Sequence, residues 1–290
     1  MAEAARCHWA GDFVSLAAML PALIGEARLT ASPGDPEASS LLAQTYDLAA
    51  ALMVHMGKED LAALAAERAI TAALASGHEL LHATLEGTYA WVLLHQGRLA
   101  ESERLAAAVA DRVEPSFSAP SENVAVWGTL LLTALAPAAA AGRDVAGYVA
   151  LASAGAERVG HPTKTYAGQA PFGQASVAMQ ACHAYAVSRE PGKALTAARK
   201  IHPGDLAGIS YGRHLLDVAE AHADARRPAA ATAALTQARA QSHVWFRHQG
   251  VARCLVADLV EQQRRLSSAL RELAASVDQD WYAPYHRRGE

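Results

Sequence analysis

The chain has 290 residues, of which 52% are hydrophobic and 19% charged, with a net charge of −4. So apolar a composition excludes an intrinsically disordered chain, and 25 thinly spread basic residues argue against a nucleic-acid-binding surface, which needs clustered Lys and Arg. Three cysteines, Cys7, Cys182 and Cys254, are too few and too scattered for a disulfide scaffold or a zinc ribbon.

From the N-terminus, Glu3, Arg6 and Asp12 interrupt any charged-then-apolar leader pattern. Ala10-Gly11-Asp12-Phe13 reads as a tight turn, followed by a helix over Val14–Leu29. After a connector at Ser32–Glu37, the apolar residues Leu41, Leu42, Leu48, Leu52 and Met56 recur at helical spacing. Breakers then follow at Gly57-Lys58-Glu59-Asp60, Gly97-Arg98-Leu99-Ala100, Gly142-Arg143-Asp144-Val145, Arg189-Glu190-Pro191-Gly192 and Arg226-Arg227-Pro228-Ala229. Each closes one apolar helix and opens another rich in Ala and Leu. The apolar stretch Val124–Ala141 is broken by Gly128 and Pro137, so it reads as a buried helix rather than a bilayer span. Further connectors lie at Glu114–Ser121 and His161–Pro171.

Alternating segments and hairpin-turn dipeptides are missing, so the chain is expected to be all-α. The breakers are spaced 40, 45, 47 and 37 residues apart. Such spacing predicts repeated helical hairpins with turns near 11, 57, 97, 142, 190 and 227, stacked into a superhelical solenoid. A strict tetratricopeptide repeat has about 34 residues, so these repeats are tetratricopeptide-like and degenerate. Residues 1–278 are expected to form this single domain and 279–290 a polar C-terminal tail.

Several stretches carry a resemblance. Gly57-Lys58-Glu59-Asp60-Leu61-Ala62-Ala63-Leu64-Ala65-Ala66-Glu67-Arg68-Ala69 resembles the second repeat of the tetratricopeptide-like sensor region of actinobacterial Xre-type helix-turn-helix regulators. Gln96–Ala106, Val126–Leu132, Phe172-Gly173 and Leu215–His222 resemble later parts of that region, in order. The resemblance runs from about Ala10 to Val277 and implies a regulatory ligand sensor. The DNA-binding domain of that family is not in this sequence, which points to an excised sensor region or a stand-alone relative. The family's Phe-Gly-Pro-Thr-Asn-Val-Ala-x-His stretch reads here Phe172-Gly173-Gln174-Ala175-Ser176-Val177-Ala178-Met179-Gln180, which implies a different ligand.

Three constellations could carry chemistry. His78-Glu79-Leu80-Leu81-His82 is formally H-E-x-x-H, with Glu101 as a conceivable third zinc ligand, although isolated matches to so short a motif are frequent. Phe172, Ser176, Gln180 and His183 are spaced to share one helix face, as a pocket lining would. Alternatively, Gln180 and His183 merely bond neighbouring helices. Arg213 and Asp217, spaced i,i+4 around His214, could clamp a carboxylate or form an ordinary intrahelical ion pair.

Taken together, these features lead to a cytoplasmic, soluble binding module. Its concave groove, with Trp127, Phe172, Gln174, Ser176, Gln180, His183, Arg213 and Asp217, would take a small-molecule or peptide effector or a partner protein. The alternative is an enzyme using His82, His183, Tyr211, His214 and Asp217. Neither a phosphate-binding nor a dinucleotide-binding loop motif occurs, so no cofactor is expected, nor are a membrane or nucleic-acid partner. A homodimer could form through Met19, Leu20 and Leu23 or through Leu255, Val256 and Leu259.

Overall fold

A computed structural model describes residues 1–31, 34–166, 168–263 and 265–277. The expected tail at 279–290 lies outside the described residues, as do Ser32, Pro33 and Ala167 of two connectors. Fifteen helices occur among the described residues and no strand longer than one isolated bridge. They are α1 (Ala2–Ala10), α2 (Phe13–Thr30), α3 (Pro36–His55), α4 (Glu59–Ser76), α5 (Glu79–His95), α6 (Leu99–Arg112), α7 (Ser121–Ala140) and α8 (Ala146–Val159). After a long connector come α9 (Gln174–Val187), α10 (Pro191–Ala198), α11 (Gly208–Asp224), α12 (Pro228–Gln241), α13 (His243–Arg247), α14 (Gly250–Glu261) and α15 (Ser268–Val277).

One local device makes six hairpins. The residue that ends the first helix of each adopts positive φ: Gly11, Gly57, Gly97 and Gly142, then Arg189 and Arg226. Its N–H bonds the carbonyl three residues back, and the next N–H reaches five back, as in Gly57→Val54 and Lys58→Met53 at 3.0 and 2.8 Å. This double bond satisfies carbonyls that a helix end leaves orphaned and reverses the chain. Glycine enters the left-handed region without the penalty of about 1 kcal/mol or more that a side chain brings, so Arg189 and Arg226 hold it under mild strain.

The hairpins pack in sequence, and their first helices also touch one another: α1 on α3, α3 on α5, α5 on α7, α7 on α9 and α9 on α11. Helix α11 then touches α1. These helices therefore form an inner ring, with α2, α4, α6, α8, α10 and α12 outside. The Ser242 hydroxyl donates to the Gly11 carbonyl at 3.0 Å across the seam. Gly208 sits so close to α1 that a Cβ there would lie 1.7 Å from the Trp9 carbonyl oxygen. Helices α13 to α15 cap the join.

The largest apolar cluster fills this seam, bringing Phe13, Leu16 and Leu20 together with Leu216, Leu235, Trp245, Phe246, Leu255, Val256 and Leu259. Here the structure corrects the expected dimerisation surfaces. Leu20, Leu255, Val256 and Leu259 are buried, with Met19 and Leu23 packed against them, because the chain covers its own ends. The large apolar residues that do face solvent lie elsewhere, including Val14 and Leu29 on α2 and Leu61, Leu64 and Leu74 on α4. Helices α2 and α7 are each long and apolar enough to cross a membrane by length and composition. Most of α7 is instead buried within the protein, and little of α2 is.

Closing the ring through a glycine makes the seam sensitive to one methyl group. Gly208→Ala should destabilise by about 2–3 kcal/mol and speed tryptic cleavage after Arg6 and Arg28. Thermal unfolding and limited proteolysis read both, and an unchanged melting temperature would show that the two ends do not bear on each other.

Candidate functional site

Helices α1, α3 and α5 each end in histidine or carry it in the last turn: His8, His55 and His95. The inner helices run in the same sense, so these imidazoles gather at one mouth of the ring. They form a contiguous aromatic path. His8 lies edge-on to Trp9 (4.7 Å between centroids) and 5.6 Å from His55. His55 stacks on Phe13 at 5.2 Å and meets Trp91 at 5.7 Å, and Trp91 meets His95 at 5.0 Å.

Across the mouth, α9 and α11 place three polar side chains in a triangle. Asp217 Oδ1 lies 3.0 Å from His183 Nδ1 and 3.1 Å from an Arg213 terminal nitrogen, itself 3.0 Å from His183 Nδ1. Asp217 is fully buried, the His183 side chain 18% exposed and that of Arg213 34% exposed. Burial alone would raise the Asp217 carboxyl, but the charges of Arg213 and His183 outweigh it and hold the carboxyl below its ordinary range. Both contacts fall on one nitrogen: a proton on Nδ1 bonds Asp217, whereas an Nδ1 lone pair accepts from Arg213. No described residue bonds Nε2.

The surrounding imidazoles are held uncharged. His8 is pulled to about 4 by burial. His95 is pulled to about 4 by the packing around it and then by Arg213 and His183, although the residue is exposed. His55 falls well below its usual value through burial and then His8, His95, Arg213 and His248. Glu220, one turn beyond Asp217, is pushed up by burial and then by the Asp217 charge. Beside His183, burial drives the Cys182 thiol to about 12, so it is no thiolate nucleophile. The mouth thus combines one guanidinium, one buried carboxylate and several neutral imidazoles.

Of the residues singled out from sequence, the ring brings together His183, Arg213 and Asp217. His214 is buried with Nδ1 unpartnered, and the half-buried Tyr211 ring lies 6.1 Å from it. The others are dispersed. Phe172 is buried in the core, filling the space left by Gly128, where a Cβ would come within 2.1 Å of the ring. It precedes α9 and pairs with Thr163 in a bridge, so the helix-face argument does not apply to it. Ser176 spends its hydroxyl on the Gly173 backbone at the start of α9 (2.8 and 3.0 Å). Trp127 packs beside Gly155 in the same core, and Gln180 is half-buried on α9. Gln174 is exposed at a shallow depression of about 440 Å³ between α8, α9 and α10. Another depression, of about 530 Å³, lies between the Gly142 and Arg189 turns. Neither is lined by His183, Arg213 or Asp217.

The zinc reading fails on geometry. His78 caps α5 rather than sitting within it, His82 pairs with Glu86, and Glu101 is held by Arg98 at 2.5 and 2.9 Å on the surface. Among the described residues, no group of three His, Cys, Asp or Glu could hold a metal ion. Sequence reasoning missed His55 and His95, although both stand two residues before a turn glycine, in His55-Met56-Gly57 and His95-Gln96-Gly97. Aligning successive hairpins on that glycine would have superposed them.

A second polar cluster ties the connector between α8 and α9 to the opposite side of the ring. Gln169 donates to Asp47 Oδ2 at 3.1 Å, the Thr88 hydroxyl donates to Asp47 Oδ1 at 2.8 Å, and Tyr166 packs among residues of α3, α4 and α5. Burial raises the Asp47 carboxyl to about 6, against the lowering effect of Thr88 and Gln169.

No protein-family model, curated protein or solved structure matches this chain.

Because Asp47 is raised in the folded state, its contribution to stability is fully present below about pH 4 and is lost as pH rises through about 6. The neutral imidazoles act oppositely, losing stability as pH falls from 6.5 towards 4. Asp47→Asn keeps an acceptor for Thr88 and removes the charge. Its stability relative to wild type should therefore improve by about 2–3 kcal/mol between pH 4 and pH 8, read by chemical denaturation at both. A constant difference across that range would show that Asp47 titrates normally.

Proposed function

We propose that this chain is a small-molecule-binding module, and that its ligand is a small organic anion held at the histidine-rich mouth of the helical ring. The observation that carries this reading is Arg213. Its guanidinium is fixed by Asp217 through one nitrogen only, remains one-third exposed, and faces imidazoles that burial keeps neutral. A fixed guanidinium with free donors is the usual partner of a carboxylate. Trp91, edge-on to His55 and His95, offers an aromatic ring for the rest of the ligand.

The hairpins are read as tetratricopeptide-like repeats whose superhelix has turned through a full circle. The likeness to the sensor region of Xre-type regulators agrees with an effector-binding role in the cytoplasm. Contact between the ring's two ends disfavours a long peptide groove and favours a compact ligand. Occupancy would be transmitted by tightening contacts between α5, α9 and α11, which carry His95, His183 and Arg213.

Arg213→Gln tests the assignment with phenylpyruvate and salicylate as probes and benzyl alcohol as an uncharged control. Quenching of tryptophan fluorescence should report binding of both acids to the wild type. The variant should bind them at least tenfold more weakly, as loss of a charge-assisted pair worth about 1.5–3 kcal/mol requires. Equal binding of benzyl alcohol, or unchanged affinity in the variant, would remove Arg213 from the site.

A further inference from the structure

We infer that the same mouth is a proton-transfer site, with His183 as general base and Asp217 as its positioning residue, acting on a small 2-oxo carboxylate. The inference rests on the ligand-binding reading of the mouth, since it needs Arg213 to anchor the carboxylate. The geometry behind it is the directed pair on α9 and α11. In the tautomer this inference assigns, Asp217 Oδ1 accepts from His183 Nδ1 at 3.0 Å, is itself braced by Arg213 at 3.1 Å, and is closed off from water. A buried carboxylate on Nδ1 fixes the ring and tautomer and stabilises the imidazolium that forms when Nε2 takes a proton. A structural histidine bridging two helices would be expected to use both nitrogens. Here Nε2 has no described partner and the side chain is still in reach of solvent.

The chemistry available to such a set is narrow. No thiolate is at hand, because Cys182 stays protonated. Among the described residues no serine hydroxyl bonds His183. What remains is acid–base work beside a carbonyl. With the carboxylate on Arg213, Nε2 removes a proton from the carbon next to the 2-oxo group. The C–H electron pair becomes the carbon–carbon double bond, the carbonyl π pair moves onto oxygen, and the enolate is held beside the guanidinium. Return of the proton from the imidazolium to carbon or to oxygen gives the keto or enol form, so nothing is oxidised or consumed.

Phenylpyruvate in D₂O is the probe, with loss of the C3 proton signal followed by NMR. Wild type should accelerate exchange above the rate in buffer. His183→Gln should lower that acceleration at least 100-fold, the ordinary contribution of a general base being about 10²–10⁴. Asp217→Asn, whose amide oxygen can still accept from Arg213 and keep it in place, should lower kcat at least tenfold while leaving KM within about twofold, which separates positioning from binding. Arg213→Gln should instead raise KM. His82→Gln, on the outer side of α5 with Glu86, should exchange at the wild-type rate. Circular dichroism confirms that each variant is folded, and should His183→Gln fail to fold, His183→Asn takes its place. If wild type binds phenylpyruvate but exchanges it no faster than His183→Gln, the proton-transfer inference is overturned and the binding reading stands. If wild type does not bind it at all, both fall.

Discussion

The contact between α11 and α1 is the constraint on which the rest of the molecule depends. A row of helical hairpins has no intrinsic reason to end, and each added hairpin leaves a new apolar face. This chain ends the row by bringing its first face against its last. That closure needs a backbone approach that only Gly208 permits, and a seam filled by Trp245 and Phe246, the largest side chains in the joining segment. Once the ends touch, the inner helices have no free edge. The C-terminal turns of α1, α3 and α5 are brought beside the bodies of α9 and α11, and residues far apart in the chain become neighbours.

Local order and global order were unequally visible in the amino-acid sequence. The turns were legible because a left-handed residue after an apolar run is a local signal. Gly57 and Gly97 announce themselves, and even Arg189 and Arg226 are flagged by the Pro that opens the following helix two residues later. Curvature left no comparable mark. Whether stacked hairpins form an arc or meet is set by small rotations at every interface, and these depend on pairings such as Gly87 against Leu130 and Gly212 against Trp245. No spacing rule reads such pairs in advance.

The site was legible in part for the same reason. Arg213 and Asp217 stand four apart on one helix, and His183 lies on another, so only the first pair could be inferred from spacing. Their meeting with His183 is a consequence of α9 packing on α11. Two misplacements share one cause, namely that helical spacing was applied to residues outside a helix. Phe172 precedes α9 and His78 precedes α5, and in each case the residue adopts an extended conformation that turns its side chain off the helical face.

Electrostatics explains why so many histidines can share one mouth. Several imidazolium charges this close would repel one another strongly. The helix C-termini favour positive charge by only about 0.3–1 kcal/mol each, too little to offset the desolvation that draws His8 and His95 to about 4. The imidazoles therefore remain neutral beside Arg213, a permanent cation whose charge is matched by Asp217. A neutral wall around a matched pair is poised rather than attractive, holding little net field when empty.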